Sequence, residues 1–170
     1  MTIPALDRPL EGRRRLDADT RLDAIDFVNH VNFLFDRWLP DELLSAFTED
    51  VTVDHPLGRS EGRDELRAFL KAYEPITRGV RRHNCNHVVT AGIGEDVVVT
   101  YYILLIRIAH SKDAAKLKDA PMEIMEHKQD LPKLISYAMV TDTLSPAGHG
   151  DWRVRHKRVE NVSEDQGFHF

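Results

Sequence analysis

The sequence lacks the features that would tie the chain to an oxidising compartment, a bilayer or a nucleic acid. Its 170 residues include one cysteine, Cys85, so no disulfide can form within the chain, which fits a reducing cytoplasm. No apolar run is long enough to span a membrane, and residues 1–19 lack the apolar core of a signal peptide. The net charge of −5 argues against a nucleic-acid groove. We therefore expect a cytoplasmic protein whose partners are neither membranes nor nucleic acids.

The composition is that of one folded domain. With 42% hydrophobic and 30% charged residues, a chain of 170 residues can bury a complete core. Residues 1–19, with two prolines and three consecutive arginines, indicate an N-terminal arm. The remaining residues, 20–170, form the predicted domain. A charged connection at about 111–135 and the tail 164–170 are candidate lids.

The order of predicted elements defines the fold class. Apolar spacing predicts helices that start at 19 or 20, at 41 and at 62, with the third ending before Pro75. Alternating or continuous apolar runs predict strands over 51–55, 82–89, 97–109, 136–144 and 152–162. Helices gathered near the start of the chain, followed by antiparallel strands, favour an α+β fold with the helices packed inside a curved sheet.

The histidine-rich strand 82–89 is the strongest indication of chemistry. Alternation along a strand would put His83, Cys85, His87 and Val89 on one face. Because Val and Cys favour burial, we expect His83 inside the protein and Cys85 to be an inert buried thiol. His83 and His87 would lie about 13 Å apart on a strand, too far to share an ion. We therefore expect no metal.

Asp36 is the candidate partner for His83. It lies near the end of the first predicted helix, next to Phe35 and two residues before Trp38. A carboxylate among bulky apolar side chains is either turned to solvent or buried and paired.

Two short motifs carry a resemblance to a known family. Gly58, Gly62 and Arg63 precede the third helix, and Gly150-Asp151-Trp152-Arg153-Val154 begins the last strand. Their order resembles the SnoaL-like branch of the nuclear transport factor 2-like superfamily over about residues 20–162. The chain is also similar to scytalone dehydratase and hexachlorocyclohexane dehydrochlorinase. The resemblance implies a cone-shaped α+β barrel, open at one end.

The same resemblance implies a catalytic pair and a class of reaction. It assigns Asp36 and His83 as the pair, with the carboxylate holding the imidazole as a general base. Such a base removes a proton next to a carbonyl group or eliminates water, and needs no cofactor. The resemblance places Asp142 in the fourth strand and leaves Lys157 near a position where the family often has arginine.

We therefore expect a cofactor-independent lyase or isomerase, of the dehydratase or cyclase type, acting on a small, largely apolar carbonyl compound. The expected substrate-binding residues are His55, Tyr101, Tyr102, Asp142 and Lys157. Strand alternation allows only one of the two tyrosines to face inward. The alternative is a non-catalytic module of the same fold that binds a small ligand or associates. In both cases we expect a homo-oligomer, a dimer or a trimer, because a curved sheet leaves one face exposed.

Overall fold

The computed structural model describes residues 15–109, 132–148 and 151–164. Most of the predicted arm at 1–19, most of the predicted connection at 111–135 and nearly all of the tail 164–170 lie outside these ranges. The last residues assigned to that connection, from Lys133 onward, belong to a strand instead.

Three helices lie in the first half of the chain. They are α1 (Ala18–Arg37), α2 (Pro40–Ser45) and α3 (Gly62–Thr77). The carboxylate of Asp17 caps α1 by accepting a hydrogen bond from the backbone N–H of Thr20 at 2.7 Å. The left-handed backbone of Trp38, with φ of 50°, ends this helix. Pro75 lies inside the last turn of α3 rather than after its end, so the predicted boundary was too short.

Six strands follow the helices or lie between them. They are β1 (Phe47–His55), β2 (Gly58–Glu61), β3 (Val80–Ala91), β4 (Val97–Arg107), β5 (Lys133–Pro146) and β6 (Trp152–Glu164). The short strand β2 was not predicted. It forms a hairpin with β1 across the turn at Pro56 and Leu57.

The strands form one sheet in the order β2-β1-β6-β5-β4-β3. The edge strands β2 and β3 do not pair with each other, so the barrel is open. All neighbouring strands run antiparallel except β1 and β6. The core lies between the helices and one face of the sheet, around side chains such as Val28, Leu70, Val99 and Leu144. The predicted α+β class, with N-terminal helices packed in a mostly antiparallel sheet, is confirmed.

A bulge in β3 decides which of its side chains face inward. The pairing with β4 shifts between Cys85 and Val88, and Asn86 has a positive φ of 56°. Asparagine is among the few non-glycine residues that adopt this conformation readily. The extra residue reverses the alternation, so side chains at odd-numbered positions face one side of the sheet before the bulge and the other side after it.

The consequence is that His83 and Cys85 lie on the exposed outer face, while His87 and Val89 point inward. The expectations that His83 is inside and that Cys85 is buried are therefore wrong.

None of the helices in the described ranges is long and apolar enough to cross a membrane.

Candidate functional site

An apolar cavity opens between α3, the sheet and the β1–β2 turn. The empty space among its lining atoms is about 830 Å³, a volume that includes open solvent at the mouth. Apolar and aromatic side chains form most of its wall, and the polar exceptions are Asn32, His55, Tyr73, Arg82, Ser136 and Lys157. Within the described ranges no aspartate or glutamate lines it. A largely apolar cavity with few convergent polar groups is typical of a small-molecule site.

Lys157 brings a positive charge to this wall from β6. Its Nζ donates hydrogen bonds to both carboxylate oxygens of Asp142, each at 3.0 Å. The two residues are direct cross-strand neighbours in β5 and β6. Asp142 is 0% exposed and Lys157 is 7% exposed, so the pair is held away from solvent. Such a pair is stable only when its remaining hydrogen bonds are made.

Tyr101 and Asn32 complete these hydrogen bonds. The hydroxyl of Tyr101 donates to Asp142 Oδ2 at 2.9 Å and accepts from Lys157 Nζ at 3.2 Å. It also accepts from Asn32 Nδ2 at 3.0 Å. Burial, and then the negative charge of Asp142, raise the pKa of Tyr101 well above its ordinary value, so the phenol keeps its proton. The network fixes the Lys157 ammonium group at the cavity wall.

His55 lies at the end of β1 and also lines the cavity. Its ring packs against Phe69 and Tyr73, with centroids 5.3 and 5.6 Å away. Burial, with the positive charges of Lys157 and Arg82, lowers the pKa of His55 to about 4. His55 is therefore neutral at pH 7.

A second ion pair, Asp36 with Arg82, lies where α1 meets β3. Asp36 accepts a hydrogen bond from Arg82 Nη1 at 3.0 Å, and its two oxygens accept from the Arg82 backbone N–H at 3.2 and 3.0 Å. The guanidinium also donates to Thr77 and Tyr73 and lies over the ring of Phe35, 4.7 Å from its centroid. Its side chain is only 4% exposed.

The predicted contact between Asp36 and His83 is therefore wrong. Arg82, one residue earlier on β3, takes the inward position beside Asp36, and His83 lies on the opposite, exposed face. No hydrogen bond joins the two residues among the described part of the chain. The physical reason is the bulge at Asn86, because the prediction extended one alternation from Val89 back to His83 without it.

The five predicted substrate-binding residues fall into three groups. His55 and Lys157 line the cavity, whereas Tyr101 and Asp142 lie behind Lys157 and hold it. Tyr102 faces the opposite side of the sheet from Tyr101, and its ring packs against that of Tyr137 with centroids 5.3 Å apart. Its predicted place in the cavity is therefore wrong. Which residues act on a substrate stays a prediction.

Two residues of the cavity wall were not among the predicted site residues, and His87, which the sequence placed on the face of His83, lies beside Tyr101. Arg82 and Asn32 line the cavity, and His87 stacks on Tyr101 with centroids 5.2 Å apart. Burial lowers the pKa of His87, and its Nε2 is buried with no hydrogen-bond partner in the described ranges. The one usable signal was Asn32, a polar residue within the apolar stripe of α1 that also carries Val28 and Phe35.

Comparison with sequence families agrees with the observed fold. The profile of the SnoaL-like domain matches residues 17–158, so the chain belongs to the SnoaL-like family of the nuclear transport factor 2-like superfamily. A search of curated proteins finds no match.

Solved structures with this fold share little sequence with the chain. ActVI-ORFA from Streptomyces coelicolor is 17% identical, with a TM-score of 0.66 over 83% of this chain and 96% of that one. Aln2 from another Streptomyces species is 15% identical, with a TM-score of 0.68 over 87% and 94%. A putative scytalone dehydratase from Novosphingobium aromaticivorans is 21% identical, with a TM-score of 0.64 over 91% and 93%. At these identities the likeness establishes the fold alone.

Proposed function

We propose that the protein is a cofactor-independent lyase or isomerase that acts on a small, largely apolar carbonyl compound held in the cavity. The observation that carries the proposal is the Lys157 ammonium group, fixed by Asp142 and Tyr101 at an apolar wall. The likeness to a structure named as a putative scytalone dehydratase is consistent with this class.

The reaction class follows from where the charge lies. Removing a proton from carbon next to a carbonyl group builds negative charge on the carbonyl oxygen. A fixed positive group in a water-poor site stabilises that charge far better than water does, because it needs no reorganisation. Lys157 is such a group.

Lys157 also accounts for the proton balance. In the proposed step its Nζ gives a proton to the carbonyl oxygen, and the amine so formed accepts the proton from the neighbouring carbon. The product is the enol, and Lys157 is again an ammonium ion. Asp142 and Tyr101 orient the nitrogen throughout. The predicted Asp36–His83 base has no part in this step, because His83 lies on the outer face and Asp36 is held by Arg82.

Exchange of carbon-bound protons tests the proposal without a known substrate. β-Tetralone, a bicyclic aromatic ketone, is incubated with the protein in D₂O, and loss of its α-proton signals is followed by NMR. We expect wild type to accelerate exchange and Lys157→Met to return it to the rate without protein. Lys71→Met, at an exposed position of α3, is the matched control and keeps the wild-type rate.

A loss of folding in Lys157→Met must be separated from a loss of chemistry, because the variant leaves Asp142 buried and unpaired. The double variant Lys157→Met/Asp142→Leu removes both charges and should fold. Acceleration that persists in this folded double variant contradicts the proposed role of Lys157.

The second candidate function is binding without turnover. It is favoured by the fact that two aspartates near the cavity in the described part of the chain are engaged, Asp36 by Arg82 and Asp142 by Lys157, so neither is a free base. Under this candidate β-tetralone binds to the wild type, as seen by a shift in melting temperature, yet its α-protons exchange at the rate found without protein.

We also propose that the chain forms a homo-oligomer through the outer face of its sheet. Exposed apolar side chains such as Val88 and Leu134, together with the Tyr102–Tyr137 pair, support this. Sedimentation at micromolar concentration should detect a dimer or trimer, and a purely monomeric species contradicts the proposal.

A further inference from the structure

The turn between β1 and β2 determines which nitrogen of His55 carries a proton. The backbone N–H of Leu57 donates a hydrogen bond to His55 Nδ1 at 3.1 Å. A nitrogen that accepts a hydrogen bond has no proton of its own, so in the neutral ring the proton is on Nε2. No group in the described ranges forms a hydrogen bond with Nε2, and the ring lines the cavity.

The surroundings keep this ring neutral. Lys157 on β6 and Arg82 on β3 are the charged groups that face it, and both are positive. The neighbours from α3 are Phe69 and Tyr73, whose aromatic rings pack on the imidazole. A third positive charge, on the ring itself, would be repelled by the first two and would lose hydration.

We infer that His55 binds the carbonyl oxygen of the substrate as a neutral Nε2–H donor whose tautomer is set by the Leu57 backbone. The inference rests on the proposed function and adds to it the group that recognises the substrate. A neutral imidazole N–H can polarise a carbonyl group without giving up its proton.

The same arrangement defines the ligand class. His55 and Lys157 both offer N–H donors to the cavity, and within the described ranges no carboxylate lines it. A ketone or an enol oxygen is matched by these donors. An amine is rejected, because its positive charge would face Lys157 and Arg82 in an apolar cavity.

The tautomer can be measured in the free protein. Nitrogen-15 NMR of histidine side chains, with His55→Gln used for assignment, should find the neutral ring with its proton on Nε2 at pH 7. The same form should persist at pH 5.5. A proton on Nδ1, or a charged ring at pH 7, overturns the inference.

The contact with substrate is tested by titrating β-tetralone into the labelled protein. We expect the His55 Nε2–H proton to move downfield, and an unmoved signal overturns the inference. In the exchange assay His55→Leu should lose about 10²-fold, the usual cost of one oxyanion donor. His55→Gln, which restores an N–H donor, should recover most of that loss. His30→Leu, at an exposed position of α1, is the matched control and should retain the wild-type rate.

The two proposals fail in different ways. If wild type does not accelerate exchange but β-tetralone still moves the His55 signal, the enolisation is wrong and the recognition by His55 stands. If exchange depends on Lys157 but folded His55→Leu has the wild-type rate, the enolisation stands and the role of His55 is wrong.

Discussion

Two buried ion pairs flank the cavity, and they are built for different tasks. Asp36 and Arg82 join α1 to β3, and Asp36 accepts hydrogen bonds from both the backbone and the side chain of Arg82. Asp142 and Lys157 are neighbours on β5 and β6, two strands that are already joined by the hydrogen bonds of the sheet. The first pair positions an element, whereas the second positions a charge.

The cations differ in the same sense. The Arg82 guanidinium is shared among Asp36, Thr77 and Tyr73 and lies over Phe35. In the described ranges Lys157 Nζ donates to Asp142 and Tyr101, and neither of these residues lines the cavity. Both oxygens of Asp142 lie 3.0 Å from Lys157 Nζ, so they can share one N–H, and the ammonium group then keeps an N–H for a ligand. Both cations line the cavity, so what distinguishes Lys157 from Arg82 is the arrangement of its hydrogen-bond partners.

Neutralising the two carboxylates should separate the pairs most clearly. Asp142→Asn removes the charge that orients Lys157, and we expect the rate of β-tetralone exchange to fall about 10²-fold. Asp36→Asn should keep the rate within about threefold, since Asp36 does not line the cavity. The exchange assay on both variants, at a temperature where both are folded, measures the difference. Equal losses would mean that the two pairs do the same work.

Asp36→Asn should act on stability instead. Arg82 would be left buried without its anionic partner, and breaking a buried pair in this way costs about 3–5 kcal/mol. Urea denaturation followed by circular dichroism measures the free energy of unfolding. The control is Asp64→Asn, whose ion pair with Arg67 is exposed and should contribute less than about 1 kcal/mol.

His55 should make the stability depend on pH. Its pKa is about 4 in the folded protein against an ordinary value of 6.5, so between these values the unfolded chain binds more protons. Stability should therefore fall as the pH is lowered from 7, with about 2 kcal/mol from this residue lost by pH 5. His55→Leu should lose that much less over the same range. Parallel curves for the two proteins would contradict the lowered pKa.

His83→Ala should have the smallest effect. The side chain is exposed on the outer face, so we expect less than about 0.5 kcal/mol in stability and an unchanged exchange rate. This outcome is the reverse of what the sequence predicted. A variant that folds but no longer accelerates exchange would restore His83 as the base and overturn the assignment to Lys157.

The sequence predicted the fold better than it predicted the site. Long periodic segments such as α1 and β4 can be predicted from the sequence, because their apolar spacing matches one period over many residues. The four-residue strand β2 offers no such signal, and it was not predicted. Pro75 ended the predicted helix too early, since a proline is tolerated in a last turn when the helix is held by packing on the core.

The predicted contact between Asp36 and His83 was wrong because of a single residue, Asn86. The alternation along β3 was applied without a bulge, and the left-handed backbone of Asn86 placed His83 outside and Arg82 beside Asp36. Local sequence cannot give such a shift, because it depends on the pairing with β4. Lys157, Asp142 and Tyr101 were each singled out, but their contact joins three strands and required the sheet.

A crystal structure with 2-naphthol, whose hydroxyl resembles the enol oxygen of β-tetralone, tests the central claim most directly. We predict the naphthol ring in the apolar cavity, with its oxygen about 3 Å from both Lys157 Nζ and His55 Nε2. A ring bound elsewhere, or one whose oxygen contacts neither nitrogen, would contradict the account.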